Sequence, residues 1–285
     1  MSKLKIAIQK SGRLNEDSLK LLKDCGIAID NGIDQLKVSV SNFPLEILYL
    51  RNSDIPQYIE DGVVDIAIVG ENLLIETQKD VAIIEKLGFS KCRLSLAVPK
   101  EIKGDSLTYF EGKKIATSYP NTLNSFLKQH NINAEIHTIS GSVEIAPNIG
   151  LADGICDIVS SGSTLFKNGL RETQLILKSE AVLVKSLKLD AAKEQILDKL
   201  LFRMKAVLRA KNSKYILMNV PNAKIEEVSA ILPVLKSPTI LPLAEKGWSS
   251  LHSVIDEDKF WNVIDALKNA GAEGILIIPI DKIVL

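Results

Sequence analysis

The sequence predicts an α/β protein with two lobes of like design, followed by a smaller domain with a βαββαβ order. Three observations lead to this prediction. The first part of the chain contains an internal repeat, each copy has the same order of strands and helices, and the hydrophobic pattern changes after residue 211. Alternating strands and helices are typical of parallel sheets, whose strand carboxyl ends carry the ligand-binding loops.

The repeat lies between the segments DGVVDIAIVGENLL and DGICDIVSSGSTLF. Identical residues recur at one constant offset without a gap, since Asp61, Gly62, Asp65, Ile66, Gly70 and Leu73 match Asp153, Gly154, Asp157, Ile158, Gly162 and Leu165. Upstream of each segment the pattern reads strand, helix, strand, helix. Each copy therefore predicts one lobe.

Two apolar runs, 94–98 and 181–184, follow the last predicted helix of each lobe. We expect strands there that cross between the lobes, so that the first lobe comprises 1–96 plus 184–211 and the second comprises 97–183. This arrangement resembles the periplasmic-binding-protein architecture, in which two lobes close on a ligand by a hinge motion. A single long doubly wound domain is the alternative, which the repeat disfavours.

Residues 212–285 form the predicted third domain. After a helix with an apolar stripe, strands are expected at 215–220, 239–243, 250–255 and 274–279, with helices at 225–232 and 258–270. This βαββαβ order is the ferredoxin-like pattern. Such a domain attached to an enzyme binds a regulatory effector or holds an oligomer together, and the pattern alone leaves both roles open.

Composition limits the class of partner. The 285 residues carry 35 basic and 35 acidic side chains, so the whole-chain charge gives no reason to expect nucleic acid or a membrane surface. The three cysteines are scattered and do not form a disulfide framework. No segment has transmembrane length and the start of the chain lacks a signal-peptide pattern, so we expect a cytoplasmic protein.

A loop of small hydroxyl residues predicts a phosphate site. Ser160, Ser161, Gly162, Ser163 and Thr164 follow an apolar strand and precede a predicted helix. Backbone N–H groups at such a turn, with the positive end of the helix dipole, favour a bound dianion. The alternative is an ordinary turn in which the serines only cap the helix.

Charged residues follow strands of the first lobe. Lys10, Arg13 and Arg51 stand at predicted strand carboxyl ends, where cations suit a polyphosphate; solvated surface positions are the alternative. Glu71 occupies the loop position equivalent to Ser163. It either hydrogen-bonds a base or ribose, or serves as an acid of the first helical turn.

The sequence offers no arrangement for covalent or zinc catalysis. His130, His137 and His252 have no neighbouring ligands at metal spacing, and neither GxSxG nor HExxH is present. An enzyme with this sequence would act by positioning and electrostatics.

Several segments, in order and spacing, resemble the ATP phosphoribosyltransferase family over nearly the whole chain: KIAIQKSGRL, DGVVDIAIVGENLL, CRLSLAVP, KIATSYPNTL, GSVEIAP, DGICDIVSSGSTLFKNGL and SPTILPL. The last domain resembles that of the long form, which binds histidine as feedback inhibitor. The resemblance implies the first reaction of histidine biosynthesis. In it, N1 of the adenine of ATP displaces diphosphate from phosphoribosyl pyrophosphate (PRPP), with Mg²⁺ on the diphosphate.

The resemblance also implies residue roles. The loop 160–164 would hold the 5′-phosphate of PRPP, and Asp153 with Asp157 would face the ribose hydroxyls or Mg²⁺. Glu144 is another candidate for the ribose side. Lys10, Arg13, Arg51 and Glu71 would serve ATP or the diphosphate, and no complete set of metal ligands is assigned.

In the last domain the implied histidine pocket contains Asn219, Ser237, Thr239, Ser253 and Gly274. Some family members carry an acid at the position of Asn219, and its absence here leaves the partner of the histidine amino group open. Family likeness implies a homo-oligomer in which dimers assemble to hexamers. A cytosolic bilobal ligand-binding module without turnover is the alternative, and a transcriptional effector-binding protein would need a DNA-reading helix-turn-helix, which the sequence lacks.

Overall fold

A computed structural model describes residues 2–29, 36–232 and 237–284. The chain divides into two compact units, the first made mainly of the residues up to Leu197 and the second of those from Asp198 onward. Within the described residues no helix is both long and apolar enough to cross a membrane.

Strands and helices alternate along the first unit. In chain order they are β1 (Leu4–Gln9), α1 (Arg13–Asp24), β2 (Lys37–Ser39), β3 (Leu45–Leu50), α2 (Ile55–Glu60), β4 (Ile66–Gly70), α3 (Glu71–Thr77), β5 (Ala82–Lys86), β6 (Cys92–Pro99), β7 (Lys114–Thr117), α4 (Pro120–Gln129), β8 (Glu135–Thr138), β9 (Gly154–Val159), α5 (Ser163–Lys167), β10 (Leu170–Ser179) and β11 (Ala181–Lys185).

These strands form two sheets, one for each lobe. The first sheet has the order β2-β3-β1-β4-β11-β5 and the second has the order β10-β6-β9-β7-β8. In each sheet three strands are parallel, namely β3, β1 and β4 in the first and β8, β7 and β9 in the second. Their carboxyl ends therefore share one edge in each lobe, as the sequence predicted.

Two antiparallel strands are exchanged between the lobes. β6 follows the first lobe but pairs with β9 and β10, and β11 follows the second lobe but pairs with β4 and β5. This confirms the predicted crossing strands and the two-lobed, periplasmic-binding-protein-like architecture. The predicted lobe boundaries at 96/97 and 183/184 fall inside these strands. Each strand pairs with one sheet along its length, so the boundaries move to before Cys92 and before Ala181.

The internal repeat is present, but it contains a gap that the sequence comparison missed. The carboxylate of Asp65 accepts a hydrogen bond from the Lys5 N–H at 2.8 Å, and the Asp65 N–H donates to the Lys5 carbonyl at 3.1 Å. Asp153 makes the same two bonds with Lys114, at 2.9 and 2.8 Å. The counterpart of Asp65 is therefore Asp153, and the predicted match with Asp157 is wrong.

The extra residues of the second copy lie between this acid and the following helix. In the first lobe Gly70 comes directly at the end of β4, whereas in the second lobe the loop 160–162 separates β9 from α5. With Asp153 aligned to Asp65, Asp157 takes the strand position of Val69, so the first lobe has no acid at this position. The gapless alignment matched the glycine and the helix start correctly, but it aligned the residues of the two strands incorrectly.

Each lobe has its own apolar core beside its sheet. In the first lobe Ala7, Ile59, Ala67 and Val182 are fully buried, and in the second a set of buried residues packs together that includes Leu96, Phe110, Ile115, Leu123 and Cys156. The loops at the strand carboxyl ends are held on these two rigid cores.

The second unit confirms the predicted ferredoxin-like domain. After α6 (Ala191–Lys211) come β12 (Ser213–Pro221), α7 (Ile225–Ile231), β13 (Thr239–Pro242), β14 (Trp248–Asp256), α8 (Glu257–Asn269) and β15 (Glu273–Pro279). The sheet is antiparallel, with the order β13-β14-β12-β15. Ile216, Met218 and Leu251 pack in the core on one face, while Leu241, Leu276 and Ile278 are exposed.

Candidate active site

The loop 160–164 joins the carboxyl end of β9 to the amino end of α5, as expected. Gly162 has a φ of +81°, a left-handed conformation that glycine adopts without strain. Ser160, Ser161, Ser163 and Thr164 are exposed. The N-cap residue Gly162 has no side chain to cap α5, and the Ser161 hydroxyl accepts a hydrogen bond from the Ser163 N–H, the first of the helix, at 3.3 Å. The capping alternative therefore leaves most of these hydroxyls without a role.

An arginine on the neighbouring strand supports the start of this loop. Arg93 of β6 donates to the Ser160 carbonyl at 3.1 Å and makes a two-bond ion pair with Glu172 of β10, at 2.6 and 2.5 Å. Ser95 also donates to Glu172, at 2.6 Å. A planar guanidinium held by both carboxylate oxygens has little freedom, so it fixes the loop backbone. Sequence reasoning missed Arg93, because nothing local indicates its pairing with Glu172.

Asp157 lies near the carboxyl end of β9, a few residues before the loop. Burial raises the pKa of its carboxyl group from 3.8 to about 6, the N–H of Ile158 lowers the pKa by donating to it at 2.8 Å, and the charge of Glu144 raises it. A buried acid with a perturbed pKa beside a ligand-binding loop is typical of a functional site.

Asp153 is not part of this group. It precedes β9, where its carboxylate accepts from the Lys114 N–H and forms an ion pair with Lys113 at 3.5 Å. The loop lies at the other end of the strand, about 20 Å away for six residues of about 3.3 Å each. The structure thus separates the two acids, and only Asp157 lies near the loop.

Glu144 does lie near Asp157. It is in a short 3-10 helix, Val143–Ile145, that follows β8, and its charge raises the pKa of Asp157. Among the described residues there is no group of three or more His, Cys, Asp or Glu side chains that could hold a metal ion. Two neighbouring carboxylates suit Mg²⁺ only where substrate phosphate and water complete its coordination.

The charged residues predicted in the first lobe lie at its strand carboxyl ends. Lys10 follows β1 and Arg51 follows the adjacent parallel strand β3, and the Lys10 N–H donates to the Leu50 carbonyl at 2.8 Å. Arg13 opens α1, 3.9 Å from Asp17. All three side chains are exposed. The structure therefore gathers three cations at one edge of the first sheet.

Glu71 and Ser160, the first residue of the loop, line one cavity between the lobes. Its volume is about 440 Å³, and its lining includes Glu71 and Lys86 from the first lobe and Arg93, Ser160 and Lys178 from the second. Glu71 forms an ion pair with Lys86 at 3.2 Å. Glu71 comes from the predicted ATP set and Ser160 from the predicted PRPP set, so the cavity joins one residue of each half-site. The other predicted residues do not line it, namely Lys10, Arg13, Arg51, Glu144, Asp157 and 161–164.

The predicted effector residues of the last domain are not all on one surface. Asn219 and Thr239 share the face of the sheet opposite the core. Gly274 lies against Asn219, because a Cβ added to Gly274 would stand 3.4 Å from the side-chain amide nitrogen of Asn219. Ser253 pairs with Ile216 on the core face, so it does not share the surface of Asn219 and Thr239. Ser237 adjoins residues outside the described ranges.

The open face also carries a histidine that the effector prediction left out. His252 lies opposite Thr239, and its ring nitrogens are 2.8 Å from the Tyr215 hydroxyl and 2.9 Å from that of Ser250. Alternation along β14 places His252 on this face and Ser253 on the other. The sequence could have given this signal, since Ser253 lies in step with Leu251 and Ile255.

Comparisons with known proteins agree with this architecture. The HisG family, described as ATP phosphoribosyltransferase, matches residues 51–206, and the HisG C-terminal domain matches residues 210–282. An ATP phosphoribosyltransferase of Cytophaga hutchinsonii is 58% identical over 281 residues, covering 99% of this chain and 98% of that protein. One of Bacteroides thetaiotaomicron is 54% identical over 282 residues, covering 99% and 100%.

A solved structure has the same fold over most of the chain. A chain of the ATP phosphoribosyl transferase (HisG:HisZ) complex of Thermotoga maritima is 29% identical, with a TM-score of 0.61, covering 71% of this chain and 98% of that chain. Together with the full-length relatives and the C-terminal domain, this shows that the chain belongs to the long form of the ATP phosphoribosyltransferase family, enzymes of histidine biosynthesis.

Proposed function

We propose that the protein joins the phosphoribosyl group of PRPP to N1 of the adenine of ATP and releases diphosphate. The observation that carries this proposal is the cavity between the lobes, which is lined by Glu71 of one lobe and Ser160 of the other. A two-substrate transfer needs such a cleft, since nucleophile and leaving group must be aligned at one carbon.

The donor side is the loop 160–164. Its exposed hydroxyls and the backbone N–H groups at the start of α5 would bind the 5′-phosphate of PRPP without a cationic side chain. Asp157 would accept hydrogen bonds from the ribose hydroxyls, with Glu144 beside it. As diphosphate leaves, the sugar becomes cation-like, and these carboxylates stabilise the developing positive charge.

The acceptor side is the carboxyl edge of the first sheet. Lys10, Arg13 and Arg51 would bind the triphosphate or the leaving diphosphate, and Glu71 would hydrogen-bond the base or ribose. N1 of adenine carries a lone pair and no proton. The reaction therefore needs no strong general base, which agrees with a site that contains no histidine among its described residues.

Mg²⁺ fits this site as a substrate-bound ion. The Asp157 and Glu144 pair offers two carboxylates, which is the number a Mg²⁺ ion already bound by diphosphate oxygens takes from protein. When bound, the ion neutralises the charge of the leaving diphosphate.

The last domain is proposed to bind histidine and inhibit the enzyme. Asn219, Thr239 and His252 lie on the open face of its sheet, where a small amino acid could make polar contacts. The exposed Leu241, Leu276 and Ile278 on the same domain favour association with a second copy, in keeping with a homo-oligomer.

The proposal is tested by an assay of diphosphate release with ATP, PRPP and Mg²⁺, each omitted in turn. We expect release only with all three, together with a new ultraviolet absorbance from the product, and inhibition by added histidine. Absence of diphosphate release would overturn the transferase proposal. Release that histidine does not inhibit would overturn only the regulatory part.

The support of the loop by Arg93 gives a prediction about the donor. Arg93→Met is expected to raise the KM for PRPP about tenfold, with kcat changed by less than about threefold, because Ser160 loses a charge-assisted hydrogen bond that orders the loop. Steady-state kinetics with varied PRPP measures this.

Arg171→Met is the matched control for Arg93→Met. Arg171 also holds backbone carbonyls, those of Ile102 and Gly104, and it pairs with Asp105 in the same lobe. We expect its KM for PRPP to stay near that of the wild type. An equal rise in both variants, or none in Arg93→Met, would contradict the assigned role.

A further inference from the structure

The amino end of α4 in the second lobe is capped by a residue of the first lobe. The N–H groups of Asn121 and Thr122 each donate to a carboxylate oxygen of Glu76 at 2.9 Å, and the Thr122 hydroxyl donates at 2.7 Å. The Asn121 side chain donates to the Glu76 carbonyl at 3.0 Å. Only 8% of Glu76 is exposed. Together these contacts form the Glu76 bridge.

The helix depends on this bridge because its own sequence supplies no cap. Its first residue, Pro120, has no N–H, and its N-cap residue Tyr119 makes no side-chain cap bond. The next two N–H groups, those of Asn121 and Thr122, donate to the Glu76 carboxylate. A carboxylate also interacts favourably with the positive end of the helix dipole. The start of α4 is therefore complete only when α3 is docked on it.

A second set of bonds runs parallel to the Glu76 bridge, one helical turn earlier on α3. The Asn72 side chain donates to the Tyr119 hydroxyl at 3.2 Å, and its N–H donates to the Ser179 hydroxyl at 3.0 Å. Ser179 donates back to the Asn72 side-chain oxygen at 2.9 Å. Burial and the nearby charge of Asp157 raise the pKa of Tyr119. Through Tyr119, the contact between α3 and the second lobe therefore extends to the neighbourhood of Asp157.

The position of the bridge connects it to both half-sites. α3 begins at the carboxyl end of β4 with Glu71, and α4 follows the carboxyl end of β7, the strand adjacent to β9. Fixing α3 on α4 therefore fixes the separation of Glu71 from the Asp157 side of the cleft. Misplacement of reacting groups by about 1 Å is enough to slow a reaction strongly.

We propose that Glu76 is a positioning residue that holds the two lobes at the separation the transfer requires. This inference rests on the proposed function, since it concerns the alignment of two bound substrates. Glu76 itself acts through α4 and does not touch either substrate.

Glu76→Gln tests the proposal with little change of shape. The amide nitrogen cannot accept a hydrogen bond, so one N–H of α4 loses its partner. We expect kcat to fall at least about tenfold while the KM for each substrate stays within about threefold, because each half-site lies within one lobe. A residue needed only for folding would lower the thermal midpoint and leave kcat per folded molecule unchanged.

Glu60→Gln is the matched control, since Glu60 is a carboxylate that accepts from a backbone N–H within one lobe. It binds the N–H of Asp80 at 3.2 Å and Lys79 at 2.9 Å. We expect its kcat to remain within about twofold of the wild type. Thr122→Val is the milder test of the bridge, because it removes one hydroxyl at nearly constant volume. Its kcat is expected to fall about threefold.

The outcomes separate this proposal from the transferase proposal. Wild-type protein that releases no diphosphate overturns the proposed function itself. With an active wild type, the bridge proposal is overturned by an unchanged kcat in Glu76→Gln, by a rise in KM alone, or by an equal loss in Glu60→Gln. Should Glu76→Gln fail to fold, an unchanged kcat in Thr122→Val overturns it, and the expected fall supports it.

Discussion

Replacing Asp157 by asparagine is expected to make the protein more stable and much less active. The asparagine side chain has the same shape and keeps an oxygen that can accept from the Ile158 N–H. It removes the charge that is buried near Glu144. The amide nitrogen also replaces the carboxylate oxygen proposed to accept from the ribose hydroxyls, a loss that we expect to lower kcat/KM by about 10- to 100-fold.

The stability effect follows from the pKa of the carboxyl group. In the unfolded chain Asp157 loses its proton near its ordinary pKa of 3.8, whereas in the folded protein it keeps the proton up to about pH 6. The unfolded state therefore binds fewer protons between these values, and the free energy of unfolding falls as pH rises through this window. Above pH 6 the folded protein carries a cost of about 1 to 3 kcal/mol, which asparagine removes.

Thermal unfolding at about pH 4.5 and pH 8, with kinetics at pH 8, measures both effects. The midpoint of Asp157→Asn should exceed that of the wild type at the higher pH and approach it at the lower one. Asp153→Asn is the control, because Asp153 binds Lys114 and Lys113 away from the loop. It should lose stability and keep its kinetics. Two results would contradict the assignment of Asp157 to the ribose: unchanged kcat/KM in Asp157→Asn, or a large loss of kcat/KM in Asp153→Asn.

Gly162→Asp is expected to abolish productive binding of PRPP. The position has room for a side chain, since the nearest atom to an added Cβ is Cγ1 of Val159 at 4.0 Å. The carboxylate would stand about 5 Å from a bound phosphate and repel each of its charges by about 3 kcal/mol at an effective dielectric constant of about 20. The KM for PRPP should therefore rise at least about 100-fold.

Gly169→Asp separates this repulsion from backbone strain. Gly169 follows α5 with a φ of +67°, close to the +81° of Gly162, and an added Cβ meets no atom within 4 Å. Both variants carry a similar conformational cost of about 1 to 2 kcal/mol, but only one places its charge in the loop. A similar KM for PRPP in both variants would contradict the phosphate site.

The two-lobed fold and the last domain were predictable because their signals are local. Strand and helix patterns, the loop glycine and the exchanged runs around Leu94 and Val182 can each be recognised within a few residues. The distinction between Asp153 and Asp157 was not predictable, since the repeat fits both until strand register shows which acid binds the backbone of Lys114.

Long-range contacts account for the rest of the site. Arg93 and Glu172 meet because β6 and β10 are adjacent, and Glu76 meets Thr122 across the lobes. Neither pair has a sequence spacing that indicates contact. Acids and bases at such positions look like solvated surface residues until the tertiary structure brings them together.

Amide hydrogen exchange of the segment 159–166, with and without PRPP and Mg²⁺, tests whether this loop binds the donor phosphate. If the N–H groups of this loop bind the 5′-phosphate, those at 161–164 should exchange at least about tenfold more slowly when PRPP is saturating. The Gly162→Asp protein should show no such slowing at the same concentration. Saturated binding of PRPP with unchanged exchange in this segment would show that this loop is not the donor phosphate site.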